Sequence, residues 1–159
     1  MKVLKITTDN KHDVRTFFVE HWGSAEMIVS SGIYNCSELD GFIYVNEHDE
    51  ITGLITYIIR NNKLEIISLD STEEGKGIGT ELERKIEDLA KQNHCEVISL
   101  LTTNDNLHAL KFYQKRGYRI VGIIPDAVEK ARVIKPSIPL IGNDDIPLHD
   151  ELKLRKVLT

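Results

Sequence analysis

The chain of 159 residues has few cysteines, no long apolar run and no excess of basic residues. Each shortage excludes a class of protein. The two cysteines, Cys36 and Cys95, lack metal-ligand spacing and are expected to be reduced thiols, Cys95 as a small buried hydrophobe at a helix end. No apolar run approaches the ~20 residues that a membrane-spanning helix needs. A net charge of -5 and a pI near 5.7 argue against a general nucleic-acid binder, which exchanges counterions through a basic surface. There is no internal repeat and no low-complexity tract. The segment Met1–Ile6 is too short and too charged for a signal peptide, so a cytoplasmic protein is expected. What remains is an ordinary globular composition, 41% hydrophobic and 28% charged, at a length that suits one domain over residues 1–159.

The most informative stretch is Glu74-Gly75-Lys76-Gly77-Ile78-Gly79-Thr80, three alternating glycines between an apolar run ending at Leu69 and an amphipathic helix beginning near Thr80. Glycine lets the backbone turn tightly and approach a ligand. The first N–H groups of the following helix, at the positive end of its dipole, then face an anion. A plain glycine-rich surface turn is the alternative.

Around this loop the periodicities predict a regular order of elements. A strand over Val3–Thr7 precedes a helix over Asp13–Trp22 behind an Asp cap, and Met27-Ile28-Val29 and Ile33-Tyr34 read as short buried pieces. Gly41–Asn46, Ile51–Arg60 and Lys63–Leu69 form an antiparallel meander through turns at 47–50 and Asn61-Asn62. In the helix after the glycines, Leu82, Ile86 and Leu89 share one face, while Glu81, Glu83, Lys85, Glu87 and Lys91 occupy the solvated one. A strand over Glu96–Thr102, a helix over Leu107–Arg116 stopped by Gly117, and a strand over Tyr118–Ile124 follow. Beyond Pro125 come a short helix over Ala127–Lys135, an irregular stretch to Asp150 and a last strand over Glu151–Leu158.

A second motif changes the weight of the first. In Asn106-Leu107-His108-Ala109-Leu110-Lys111-Phe112-Tyr113-Gln114-Lys115-Arg116-Gly117-Tyr118, an Asn opens a helix, a small Ala lies one turn in, a Tyr further on, and a Gly-aromatic pair ends it. This resembles motif B of the GNAT (GCN5-related N-acetyltransferase) superfamily, and Glu74–Gly79 resembles its motif A. One departure stands out: Glu74 occupies the place usually held by Gln or Arg. Trp22-Gly23, Leu39–Phe42, Glu65–Leu69, Thr102–Asn106, Lys135–Pro139 and Ile146-Pro147 look like a bacterial branch of the superfamily whose acceptor is not established.

The resemblance implies an α/β (α+β) fold with a central mixed, mostly antiparallel sheet, its fourth and fifth strands splayed and flanked by helices. It implies acetyl-CoA as donor and an amine as acceptor. The pyrophosphate would lie on the N–H groups of Gly75, Lys76, Gly77, Ile78, Gly79 and Thr80, with Glu74 at the lip and the pantetheine beside the strand ending at Leu69. Asn106, or its neighbour Asn104, would hold the pantetheine; a plain N-cap is the other reading of either. Tyr113 lies about two helical turns after Asn106. A phenol with an ordinary pKa near 10 is protonated at neutral pH and can donate to the leaving thiolate; packing alone is the alternative.

Glu65 interrupts an otherwise apolar strand and is the candidate base, acting directly or through water, with burial raising its pKa. The competing reading is an outward-facing carboxylate. His108 and His149 fit a solvated helix face and a surface loop. Trp22, Tyr57, Arg132 and His149 are candidate liners of the acceptor pocket, Arg132 as partner to an acceptor carboxylate. No metal site, nucleic acid or membrane is expected, and the protein would act as a monomer or homodimer on a small-molecule amine. One rival is a sensor that binds acetyl-CoA without turning it over. A second, of another class, is a nucleotide-phosphate binder that uses the glycine loop, against which stand the missing Gly-Lys-Ser or Gly-Lys-Thr ending and the antiparallel meander before the glycines.

Overall fold

A computed structural model describes residues 2–158. The chain runs β1 (Lys2–Lys5), α1 (Lys11–Trp22), β2 (Glu26–Val29), β3 (Gly32–Asn35), β4 (Asp40–Val45), β5 (Ile51–Arg60) and β6 (Lys63–Ser71). It continues through α2 (Ile78–Gln92), β7 (Val97–Thr103), α3 (Leu107–Lys115), β8 (Arg119–Ile124), α4 (Ala127–Ile134) and β9 (Glu151–Val157). Seven strands form one sheet in the order β1-β4-β5-β6-β7-β9-β8, and β2 and β3 form a separate hairpin. The expected mixed fold with a mostly antiparallel sheet and flanking helices is what the structure shows. Among the described residues no helix is long and apolar enough to cross a membrane.

Two compact bodies emerge from the chain's contacts. The first contains the residues up to Glu26 and Asn35–Ile98. Its ladders β1–β4, β4–β5 and β5–β6 are all antiparallel. The β5–β6 turn is Asn61-Asn62, both at positive φ (50° and 61°), which the short amide side chain tolerates and a two-residue hairpin requires. The core of this body joins Val14 and Phe18 of α1, Leu54 and Ile55 of β5, Leu64 of β6, and Leu82 and Ile86 of α2, all fully buried. Burying each such side chain contributes about 1.5–3 kcal/mol, which is what holds both helices to the sheet.

Two local expectations need correction here. Helix α1 starts at Lys11 with Asn10 rather than an Asp at its cap, and the Asn10 side chain turns back, its Oδ1 accepting from the Thr7 amide at 2.8 Å. Asp13 instead lies in the first turn, where the helix dipole favours a carboxylate. In α2, Glu83 is buried beside Leu82 rather than on the solvated face, and Leu89 is only half-buried. The buried face of α2 follows the four-residue row Ile78, Leu82, Ile86 and Ala90, with Glu83 beside it, which turns it away from Leu89. Both cysteines are free and buried as expected, and burial pushes the Cys95 thiol pKa up.

The second body contains Met27–Tyr34 and the residues from Ser99 onward. Its hairpin is less buried than its composition suggests: Tyr34 is buried, but Met27, Ile28 and Val29 are half-buried and Ile33 is exposed. The buried Glu151 carboxylate at the start of β9 accepts from the Ser30 amide at 3.1 Å and from its hydroxyl at 2.6 Å, tying the hairpin turn to the strand.

The irregular residues 135–150 form an ordered strap. Arg132 donates to the carbonyls of Ile138, Pro139 and Leu148 at 3.0, 2.8 and 3.0 Å. Asn104 donates to the Pro147 carbonyl and accepts from the amides of His149 and Asp150. Buried Asp105 accepts from the Asn143 amide at 2.8 Å. Gly142 permits this last contact, because a Cβ there would lie 2.1 Å from Asp105 Oδ2. Gly142→Ala is therefore expected to displace the carboxylate and lower the unfolding free energy by about 2 kcal/mol, as an unsatisfied buried acceptor costs. Urea unfolding of the variant and parent would measure it, and an unchanged midpoint would remove Asp105 as the strap's anchor.

Candidate active site

In the first body, the glycine loop joins the end of β6 to α2. Gly75 and Gly77 adopt φ of 74° and 75°, a region that L side chains rarely enter, and an added Cβ at either would meet nothing within 4 Å. Backbone conformation selects glycine there, and the space over the loop is open. Gly77 is the N-cap of α2, so no side chain caps the helix; its carbonyl accepts from the Glu81 amide at 3.0 Å, the first intrahelical bond. The amides of Ile78 and Gly79 lie in the first turn, where the geometry of a helix start offers no intrahelical acceptor. An uncapped N-terminus of a 15-residue helix after two left-handed glycines suits a phosphate. Glu74 and Lys76 are exposed, and Leu69 is half-buried.

Strand β6 carries a bulge. Thr56 is opposite Ser68 and the next residue, Tyr57, is opposite Ile66, which leaves Ile67 as the extra residue. Paired residues share a face of the ladder. Leu54 with Asp70, Thr56 with Ser68 and Ile58 with Glu65 therefore lie on one face, and Gly53 with Ser71, Ile55 with Leu69 and Tyr57 with Ile66 on the other. Simple alternation would have set Glu65 against Ser68 and Asp70. The bulge instead gathers Glu65, Ser68 and Asp70 into one polar stripe, with the Thr56 and Ser68 hydroxyls hydrogen-bonded in its middle.

The helices divide between those faces. A Cβ on Gly53 would meet Ile78 Cγ2 at 2.5 Å and Leu82 Cδ1 at 3.3 Å, so α2 covers the face without the carboxylates. Helix α1 reaches the stripe at its Asp70 end, where Trp22 Nε1 donates to Asp70 Oδ1 at 3.1 Å. Asp70 Oδ2 is buried with no partner. Burial raises the Asp70 pKa to about 6, against the smaller lowering effects of the Trp22 hydrogen bond and the His21 charge. Trp22 closes a chain of tilted ring contacts, its centroid 4.7 Å from Phe18, with Phe17 4.4 Å from His21. Glu65 is half-buried.

Tyr57 is buried on the α2 face, away from Trp22, so the structure does not bring those two expected liners together. Burial first, and then the Asp40 charge opposite, raise its phenol pKa. Sequence reasoning missed Asp70. A carboxylate directly after the apolar run, a few residues before the glycine motif, was the signal that could have found it.

In the second body, Asn106 is the N-cap of α3, its Oδ1 accepting from the Ala109 amide at 3.1 Å. The Asn104 carboxamide serves the strap. Tyr113 is buried on α3, its ring edge-on to Phe112 and Tyr118 with centroids 5.1 Å away in each case. Arg132 directs its guanidinium at strap carbonyls, and His149 Nδ1 lies 2.7 Å from Glu129 Oε1. Both side chains are engaged in these contacts within the chain. His108 is exposed. Among the described residues no cluster of His, Cys, Asp and Glu could hold a metal ion.

The family model for the Acetyltransferase (GNAT) family matches residues 8–118, spanning the ladder, the glycine loop and α3. The chain belongs to the GNAT family. YdhI of Bacillus subtilis (strain 168) is 53% identical over 148 residues, covering 93% of this chain and 92% of that protein. Two solved structures share the fold over nearly the whole chain. An IAA acetyltransferase from Bacillus cereus ATCC 14579 superposes with a TM-score of 0.76 at 20% identity, covering 99% of each chain. A GNAT family acetyltransferase from Elizabethkingia anophelis, solved with acetyl-CoA bound, gives 0.70 at 17% identity, covering 99% of this chain and 97% of the other. As a GNAT domain the protein is an acetyltransferase, and acetyl-CoA is its co-substrate.

Proposed function

We propose that this GNAT domain moves the acetyl group of acetyl-CoA to the primary amine of a small-molecule acceptor by direct attack. The observation that carries the reading is the uncapped start of α2 behind two left-handed glycines, at the end of a strand whose ladder is broken by a bulge. The amides of residues 75–80 take the pyrophosphate, and the pantetheine follows β6 beyond Leu69. Asn106 contributes from the opening of α3, and Asn104 acts by holding the strap. The bulge at Ile67 supplies backbone N–H outside the regular ladder, a donor for the thioester oxygen as negative charge develops there.

The chemistry balances without a metal ligand. The acceptor ammonium gives a proton to Glu65, directly or through water. The freed amine attacks the thioester carbonyl, and the tetrahedral intermediate expels the thiolate, which takes a proton from Tyr113. The second proton of the attacking nitrogen passes through water to the Tyr113 phenolate, leaving the neutral amide.

Thiol release from acetyl-CoA with a polyamine, an amino sugar, an alanine-initiated peptide and a lysine peptide as acceptors would test the reading. Turnover with the polyamine or the amino sugar is expected. Coenzyme A binding with no thiol released from any mixture would favour a sensor instead. Glu65→Gln is expected to lower kcat/KM by about 10²-fold or more, as loss of a general base does. An unaltered kcat/KM would remove Glu65 as the base.

A further inference from the structure

The polar stripe on the α1 face of β6 contains one carboxyl for which the reaction above has no use. Asp70 lies at the end of the strand, opposite Leu54, with Oδ1 on the Trp22 indole and Oδ2 buried without a partner. Leaving a carboxylate oxygen unsatisfied in a site that aliphatic side chains could fill is costly, so the position has a role beyond packing. What the carboxyl holds is the C-terminal end of α1. That helix stops at Gly23, in the left-handed region at φ 83°, so Trp22 is its last residue and has no following turn to fix it. Its indole is held by the Phe18 ring and by Asp70.

We propose that Asp70 is a positioning residue for the acceptor: by fixing Trp22 over the face of β6 that carries Glu65, it sets affinity for the incoming amine while leaving affinity for the cofactor alone. The proposal rests on the acetyltransferase reading above. Its geometry lies within one body of the chain. The cofactor loop leads into α2, which covers the opposite face of the same ladder, so Trp22 and the stripe are separated from the helix to which the diphosphate is assigned. A half-buried indole next to a carboxylate suits an ammonium-bearing molecule, because the ring face attracts a cation and the stripe supplies negative charge.

The hold on Trp22 depends on protonation. An ionised carboxylate accepts the indole N–H more strongly than a neutral acid does. Of the groups packed around Asp70, His21 on α1 is the titratable one that acts on it; β5 presents Leu54 opposite and Thr56 diagonally, and α2 presents Ile78 and Leu82 to the other face. Along β6 itself the same face carries Ser68 and then Glu65. Titration of Asp70 near pH 6 thus reports on the indole it holds.

Trp22 is the chain's single tryptophan, which makes the test direct. Intrinsic emission of the full-length protein, followed from pH 4.5 to 8, is expected to show one step that Asp70→Asn abolishes. Far-UV circular dichroism would establish that the variant is folded. At pH 8 the variant, a neutral stand-in for the protonated acid, is expected to raise KM for the best amine of the panel about fivefold, the loss of one charge-assisted bond. Its kcat and its calorimetric dissociation constant for coenzyme A should stay within about twofold of the parent. Trp22→Phe should reproduce the KM effect, and the double variant should add little to it, as coupled residues do.

An emission step that survives Asp70→Asn, an unmoved amine KM, or a coenzyme A affinity that falls as far as the amine KM rises would each overturn the proposal. Failure of the parent protein to bind coenzyme A would instead overturn the acetyltransferase reading. The two failures are therefore distinguishable.

Discussion

Tyr113→Phe is expected to slow acetyl transfer by about 10²- to 10⁴-fold, the usual contribution of a positioned general acid. Tyr113 is 4% exposed, and its ring is held edge-on by Phe112 and Tyr118. Phenylalanine keeps that ring and those contacts, so fold and cofactor affinity should not change. What disappears is the hydroxyl, and with it the proton for the departing thiolate. Single-turnover thiol release, with coenzyme A binding measured in parallel, separates the chemical step from binding. A variant with the parent's rate would assign Tyr113 to packing alone.

Asp70→Asn is expected to change the pH dependence of stability by the next largest amount. The folded-state pKa of about 6 lies above the ordinary aspartate value of 3.8, because burial disfavours the charged form. Protonation is therefore tighter in the folded chain. The stabilisation from this group is complete below the unfolded value, near pH 3.8, and is lost as pH rises through about 6. Two units correspond to about 3 kcal/mol that the ionised acid costs above neutrality. Urea unfolding at pH 4.5 and 8 should show the parent losing stability from this group on going to pH 8 relative to the asparagine variant. Parallel pH profiles for the two proteins would show that Asp70 does not titrate in this range. The carboxylate that fixes the indole for binding is thus a burden on folding, as is common where a site's demands oppose stability.

Much of the fold was legible because its signals are local. A run rich in β-branched residues marks β5, Asn61-Asn62 marks the turn after it, and the spacing of Leu82 and Ile86 marks α2. The glycine loop was legible for the same reason: positive φ at Gly75 and Gly77 is a property of single residues. The Asn106 cap was one of two readings of a residue at a helix entrance.

Longer-range features were not legible. The bulge at Ile67 depends on how β6 pairs with β5, and it decides which face Glu65 shares. Strict alternation places Glu65 away from Asp70, so the polar stripe has no signature in β6 alone. The strap over residues 135–150 reads as irregular because its bonds run to side chains outside it, Asn104 and Asp105 well back in the chain and Arg132 of α4. Asn104 and Arg132 looked like ligand-binding residues for the same reason. An amide or guanidinium that holds a distant backbone carbonyl is indistinguishable, in a sequence, from one that awaits a substrate.

The central claim is that backbone amides at the start of α2 hold the diphosphate of the donor. Isothermal titration of the intact protein with coenzyme A and, separately, with pantetheine tests it most directly, because the two share the thiol arm and differ in the pyrophosphate-linked nucleotide. The account predicts saturable heat with coenzyme A and affinity for pantetheine weaker by about 10²-fold or more, on the scale of several charge-assisted bonds. No heat with coenzyme A, or equal affinity for both, would contradict it.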